Sequence, residues 1–377
     1  MLYANQVGLA RNPAESARPF PHLKTIVSSA VRSKLTLRGK RITLDTGHTI
    51  DIMVDIFLRL GCNVDIARVV AQHLADTSLC GMESHGVMRT LQYAEQFQNG
   101  YLNPIATARI VTTSRNTQEV DGEGGIGIPA MHLAYQHGMA TAQETGISAL
   151  AIRSVGHTGR HGAFADSAAE QGFLTICVGG GNRQKWRQVA PYGGARGMLP
   201  TNPWCVGIPG GARGPVVLDF ATSKIAGGWI YAARSAGALL PEDCVIDANG
   251  RPTRDPEDYF NGGAILPAGA QKGYALALVG ELIGEAMLGP STTEGNWLLI
   301  TLDAHRFRES LALSRAAEEV LEELRSCPPA PGFNRVEIPG ERERDYRKKS
   351  GGVISVPKET WDQIIALHTR LQKEPEV

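Results

Sequence analysis

The sequence predicts a protein of class α/β or α+β, and three observations predict it. Apolar residues recur at helical spacing from about residue 42 to residue 100, short apolar runs punctuated by glycine fill the middle, and helical spacing returns at Tyr274. With 377 residues, 42% of them apolar, the chain can bury a real core and is read as more than one structural unit.

Residues 1–41 are read as a basic leader without regular structure. Eight Lys/Arg between Arg11 and Arg41 face the single acid Glu15, with Pro13, Pro19 and Pro21 among them, and no continuous apolar core marks a secretory signal. Ordered elements begin near Ile42. Apolar residues Ile52, Val54, Ile56, Phe57 and Leu60 predict a helix over Asp51–Leu60, stopped by Gly61. Asp65 is the expected cap of a second helix, whose stripe is Ile66, Val69, Val70 and Leu74. A third is expected from about Val87 to Gln98, ending at Gly100. GMESHG (81–86) is therefore a connection between helices.

In the middle, ISALAIRSV, FLTICV, WCVGIPGG and VVLDFATS read as strands, with helices at Met131–Glu144, at Ala163–Glu170 and after Ser223. A helix over Tyr274–Met287 is stopped by Gly289-Pro290, and a charged one follows at Ser310–Arg325. The last sixty residues read as helical and surface-rich.

Lys plus Arg equals Asp plus Glu, 38 of each, so no global field recruits nucleic acid or an anionic membrane. The longest apolar stretch, Tyr274–Gly289, is interrupted by Glu281 and Glu285 and is too short to span a bilayer. The six cysteines are scattered without a CxxC pair, which fits a reducing cytoplasm. The 43 glycines point to many close backbone approaches, as in loop-built ligand sites.

Several motifs carry chemistry. GEGGIG (122–127) satisfies G-x-G-x-x-G, but the polar RNTQEVD before it argues against a dinucleotide-binding strand, so a plain turn into a helix near Pro129 is favoured. GGGN (179–182) follows a strand and is a candidate site wall. In GHTGRHG (156–162), His157 and His161 are four apart, but three glycines oppose a helix and no carboxylate completes a metal set. No metal is expected there. Arg160 is read as reaching a phosphate or ribose, with an ordinary turn as the competing reading. In VVLDFATSK, Asp219 can accept ribose hydroxyls at a strand end, while Thr222 or Ser223 caps the next helix. Lys272 and Gly273 precede an apolar helix; an anion there explains the cation, and a snorkelling surface lysine competes.

SHGVMR (84–89), GHTGRHG, PYGG (191–194), TNP (201–203), LDFATS (218–223), ILPAGAQKGYALAL (265–278) and IPGERE (338–343) occur in one order. With these motifs the chain resembles the type 2 malate/L-lactate dehydrogenase family over residues from about 42 to 365. That resemblance implies helical terminal parts on a mixed-sheet nicotinamide-binding domain that is not Rossmann, and a homodimer. It divides the chain into a helical substrate and dimer part, 42–118 with 310–377, and a cofactor part, 119–309. The cofactor is NAD, with NADP as the alternative. The implied cofactor residues are Gly159, Arg160, His161, Asp219, Phe220, Ala221, Thr222, Ser223, Gln271, Lys272, Gly273, Gly340 and Glu341. The implied proton carrier is His85, with His157 second, since a ureidoglycolate-type branch uses that histidine.

The expected substrate is a small 2-hydroxy or 2-oxo acid. Reduction of cyclic imino acids or diketo sugar acids is the alternative; the imine branch resembles this chain through ATS but then carries an acid where Gly227, Gly228 and Trp229 stand here. GGGNRQKWRQ (179–188) looks longer than is usual in the family, so its loop is expected to shape substrate choice. An imidazole suits the proton transfer, Ser84 can orient it, and Arg89 has the two-pronged geometry for a carboxylate. The competing reading pairs Arg89 with Glu83 or Glu95. A hydrolase using Ser84 lacks G-x-S-x-G and needs adjacent residues to face each other; a non-catalytic binding protein is the other alternative class.

Overall fold

The computed structural model describes residues 40–115, 117–235 and 237–373. Residues 1–39, most of the expected leader, lie outside the described residues. Its expected end at 41 runs into a strand: β1 (Arg41–Asp45) pairs antiparallel with β12 (Val353–Pro357). Sequence spacing gave no sign of this two-stranded sheet, because each strand is five residues long and its partner is three hundred positions away.

Helices α1 (Thr46–Arg59), α2 (Val64–Leu79) and α3 (Arg89–Gln98) follow. α1 starts a turn earlier than its apolar stripe suggests, because Asp45 caps it by accepting from the His48 amide at 2.8 Å. The cap of α2 is Asn63, not Asp65; Asp65 sits in the first turn, where its charge suits the dipole. These helices and the last one, α11 (Lys358–Lys373), bury Ile52, Phe57, Val70, Leu74, Tyr93, Ile364 and Leu367 in the main core. Burial on this scale, about 25 cal/mol per Å² of apolar area, is what positions α2 and α3.

The centre is a seven-stranded sheet. Its strands are β2 (Arg109–Thr112), β3 (Gln118–Gly125), β4 (Ile147–Val155), β5 (Phe173–Gly180), β6 (Trp204–Gly211), β7 (Gly214–Phe220) and β11 (Gly295–Asp303). Their order is β2-β3-β4-β11-β5-β6-β7, with only β3 and β4 parallel. A sheet that is antiparallel apart from one pair is a mixed sheet and not a Rossmann one. β11 lies at its centre, yet its apolar run WLLI is too short to stand out in the sequence.

RNTQEVD does lead into a strand, contrary to the expectation. β3 shows few apolar residues because glycines occupy two of its three buried positions, Gly122 and Gly125 beside Val120. α4 (Gly127–Thr145) then crosses to β4, but its start is closed by the next loop, with the Gly127 amide on the His157 carbonyl at 3.0 Å. No phosphate is needed to satisfy it.

α5 (His161–Glu170) packs on β6 and β7. A satellite core of Val189, Leu199, Ile230, Leu240, Val245 and Ile265 gathers α6 (Gly227–Ser235), α7 (Pro256–Phe260), α8 (Gln271–Glu281) and the small sheet of β8 (Val245–Ile246), β9 (Pro252–Thr253) and β10 (Ala264–Ile265). The expected helix over Tyr274–Met287 is α8 followed by a π turn, Leu282–Met287. At the junction Glu281 is buried and accepts from the Gly181 and Arg183 amides and Asn202 Nδ2, which ties the helix to β5. GGGN is thus a packing junction rather than a site wall: Asn182 is buried and Gly180 lies against the backbone of Gly280 and Gly284.

α9 (Ser310–Arg325) has the expected bounds but packs on β6, and β2 pairs with β3. Both were expected in the helical part, so its limits at 118 and 310 fall inside the sheet unit. α10 (Glu341–Ser350) leads into β12, which corrects the all-helical reading of the C-terminus.

Candidate active site

Ser84, His85 and Arg89 meet in the connection after α2. Gly81 turns the chain at φ 76°, and a Cβ there would come within 3.0 Å of the Tyr346 ring, so glycine is required twice over. Glu83–His85 form one 3-10 turn, closed by the Gly86 amide on the Glu83 carbonyl. That turn sets the Ser84 hydroxyl 2.9 Å from His85 Nδ1. Ser84 can thus orient the ring as the sequence suggested, the tight turn bringing two adjacent side chains to face each other. Ser78 of α2 anchors the turn from below by accepting from the Val87 amide at 3.0 Å. A serine within a helix gives no such signal in sequence.

Arg89 opens α3 with Nε donating to the Ser84 carbonyl at 2.6 Å and a second nitrogen on Gln92 Oε1. Glu83 bonds Arg41 instead, at 3.0 Å, and Arg89 has no ion pair among the described residues, with Glu95 or any other acid. A cation is thus held at the positive end of a helix without an ion-paired acid among the described residues, Glu294 acting on it only from farther off.

The second loop, 156–162, approaches from β4. Tyr93 of α3 places its hydroxyl 2.6 Å from His157 Nδ1, and the Gly159 amide points at the same nitrogen from 3.3 Å. The His85 and His157 rings lie 5.2 Å apart. Gly159 has φ 76° and leaves no room for a Cβ beside His73, whose Nε2 accepts from the Arg160 amide at 3.0 Å. Tyr93 and His73 were not singled out in the sequence, because each reads as one more member of a helix.

Burial dominates the electrostatics. It pushes His85 down to about 3, with Arg89 and Arg160 adding repulsion. His73 and His161 also fall to about 3, and His157 lies well below the usual histidine value, in each case mainly by burial. Burial raises Asp219, against the pull of the Gly162 amide and Arg160. Glu294, raised by burial, feels Gln96 and Arg89 in the opposite sense.

Arg160, Asp219, Phe220 and Gly340 line one cavity of about 450 Å³ with Met82 and Arg342. Asp219 accepts from the Gly162 amide at 2.6 Å, at the start of α5. Arg160 is buried, reaches Asp76 at 3.3 Å, and keeps its Nε without a partner among the described residues. The other expected cofactor residues stand apart from this cavity. His161 turns into the sheet, stacked on Trp297 with 4.1 Å between ring centroids and bonded to Thr158. Thr222 donates to the Thr201 carbonyl and Ser223 to the Ile225 carbonyl. Glu341 fastens its loop, pairing with Arg325 at 2.7 Å and accepting from the Ile338 amide. Gln271 and Lys272 are exposed at the start of α8, while Gly273 is buried against the Ala268 carbonyl. Their loop is stitched to the 219–224 segment by Ala268 N on Thr222 O at 2.8 Å and Lys224 N on Leu266 O at 2.7 Å.

Residues 45–365 match the family described as malate/L-lactate dehydrogenase. The chain belongs to that family. It is 32% identical over 322 residues to the L-lactate dehydrogenase of Cupriavidus necator, covering 81% of this chain and 91% of that one. It is 31% identical over 317 residues to a Delta(1)-pyrroline-2-carboxylate/Delta(1)-piperideine-2-carboxylate reductase of Pseudomonas putida, covering 80% and 90%. Among solved structures, the sulfolactate dehydrogenase of Methanocaldococcus jannaschii superimposes with a TM-score of 0.78 at 28% identity, covering 88% of this chain and 98% of that one. The protein is therefore an oxidoreductase of the malate/L-lactate dehydrogenase family. No described helix is long and apolar enough to cross a membrane.

Within this family member, the departure at Gly227–Trp229 falls at the site itself. A Cβ on Gly228 would lie 3.5 Å from that of Ser84, so the start of α6 faces the Ser84–His85 turn without offering an acid. In the 179–188 segment, Lys185 Nζ lies 5.9 Å from the Tyr101 ring centroid.

Proposed function

We propose that the protein is a nicotinamide-dependent dehydrogenase of small 2-hydroxy acids, acting reversibly on the 2-oxo acids. One observation carries this: an imidazole oriented by Ser84 and a guanidinium with no ion pair among the described residues are fixed to one turn by the Ser84 hydroxyl and carbonyl. Arg89 binds the substrate carboxylate through its remaining N–H groups, and its competing partners Glu83 and Glu95 are not engaged with it. His85, neutral because buried, takes the 2-hydroxyl proton through Nε2 while Nδ1 is held by Ser84. His157, with Nδ1 accepting from Tyr93 and Gly159, carries its proton on Nε2 and donates to the same substrate oxygen.

A nicotinamide dinucleotide, when bound, exchanges hydride with C2. The residues present fit it: Arg160, whose buried Nε has no partner among the described residues, and Asp219 line one cavity, suited to a phosphate or ribose. Phe220, Gly340, Gln271 and Lys272 would complete its contacts. NAD is favoured over NADP because the acids lining the cavity, Asp166, Asp219, Glu337 and Glu343, outnumber its cations Arg160 and Arg342. α1–α3 and α11 supply the substrate side and the seven-stranded sheet the cofactor side. Exposed Tyr231, Leu239, Val279 and Leu282 support a homodimer, and the buried cysteines Cys62, Cys80, Cys177 and Cys205 support a cytoplasmic location.

Imine reduction is disfavoured by the missing acid at Gly228. The deciding experiment follows the reduced-nicotinamide absorbance band while a panel of 2-oxo acids, a cyclic imino acid and a simple ester are offered with each cofactor. Turnover of 2-oxo acids is expected; turnover of the imine alone, or of the ester without cofactor, would refute it.

A further inference from the structure

Beyond Arg89, the same face of α3 carries a feature that the proposed hydride transfer does not use. Arg89, Tyr93 and Gln96 lie on one face of α3, at i, i+4 and i+7. Seven residues of helix rise about 10 Å, enough for a short 2-oxo acid with a hydrogen bond at either end. At the first position stands the guanidinium, at the second Tyr93 reaches His157, and at the third Gln96 Nε2 donates to Glu294 at 3.4 Å. Glu294 is half-buried where β11 begins, its amide on the Val155 carbonyl just before the His157 loop. It has no ion pair among the described residues.

Two further polar atoms around it are buried and unpartnered among the described residues, Gln96 Oε1 and the Tyr101 hydroxyl. Lys185, above the Tyr101 ring, is exposed and solvated. The wall therefore carries a carboxylate outside ion-pair distance of any cation among the described residues, with Arg89 acting on it only from farther off, beside an unpartnered amide oxygen and a hydroxyl that can both donate and accept. Buried acceptors call for donors. A second anion brought beside Glu294 would be repelled across a medium of low dielectric.

We infer that Glu294 is a specificity-determining residue, selecting 2-oxo acids whose far end carries hydrogen-bond donors, such as a hydroxyl, amide or amine, and rejecting those with a second anionic group. This rests on the 2-hydroxy acid dehydrogenase reading above and narrows its substrate class. Oxaloacetate-like and sulfonated substrates are excluded, and hydroxylated or amidated three- to four-carbon acids are admitted.

The test compares hydroxypyruvate, pyruvate and oxaloacetate in wild type and in Glu294→Gln, which keeps shape and can still pair with Gln96. Wild type is expected to favour hydroxypyruvate over oxaloacetate in kcat/KM at least tenfold. Glu294→Gln is expected to shrink that ratio tenfold or more, with pyruvate nearly unchanged. Melting shifts with glycerate and malate should show the same order without turnover. Oxaloacetate as the preferred wild-type substrate, or a ratio unmoved by the substitution, overturns the role of Glu294 while leaving the dehydrogenase intact. Failure of wild type to reduce any of the three overturns both.

Discussion

The Tyr93 hydroxyl stands 2.6 Å from Nδ1 of His157, and the Gly159 amide reaches the same nitrogen from 3.3 Å. Two donors on one nitrogen make it the acceptor and leave the proton of the neutral ring on Nε2. His157 thereby presents Nε2 as a donor, and in the proposed reaction His85 is the base. Tyr93→Phe removes one donor and frees the tautomer. It is expected to lower kcat about tenfold while costing only about 1 kcal/mol of stability. Unchanged kinetics alongside a large fall in melting temperature would make Tyr93 a packing residue only.

Arg89 separates two accounts of the helix start. As a carboxylate clamp it keeps its charge but loses its fork in Arg89→Lys, so that variant should already be impaired and Arg89→Met more so. Loss of the charged bond is expected to cost about 2–5 kcal/mol, roughly thirtyfold to several thousandfold in kcat/KM. An Arg89→Met variant that melts early yet turns over normally would assign the residue to stability.

Acid should destabilise the fold through its buried imidazoles. His73 and His161 have folded values of about 3, below the 6.5 of the free side chain, so between pH 6.5 and 3 the unfolded chain binds more protons. Their contribution is whole above pH 6.5 and is lost as pH falls, at up to about 1.4 kcal/mol per pH unit for each. Denaturant midpoints at pH 7 and 4.5 measure this. Equal midpoints would contradict neutral burial.

Much of the site was legible because its parts are short and local. Ser84, His85 and Arg89 lie within one turn, and Asp219 follows an apolar strand that runs as expected. What sequence reading missed lies in partners distant along the chain. Tyr93 and His73 acquire their roles only when α2 and α3 are packed against the loop after β4. β3 escaped notice because glycines fill two of its three buried positions, and β1 with β12 because neither strand signals alone. His161 and Glu341 matched the family motif yet serve the interior, one against Trp297 and the other against Arg325.

Lys272 is exposed and forms no ion pair among the described residues, so Lys272→Ala should leave the melting temperature unchanged. If it meets a cofactor phosphate, affinity for reduced nicotinamide falls by about 1.5–3 kcal/mol, roughly tenfold to a hundredfold. Fluorescence titration decides. Full affinity would leave a solvated surface lysine.

The most direct test concerns His85. In wild type and His85→Ala, the loss of reduced-nicotinamide absorbance with a 2-oxo acid gives turnover, and fluorescence titration of the same samples gives cofactor affinity. Proton transfer by His85 requires turnover to fall at least about a hundredfold while cofactor affinity stays within about twofold. A variant that retains near-normal kcat, with the cofactor bound as before, would remove His85 from the chemistry.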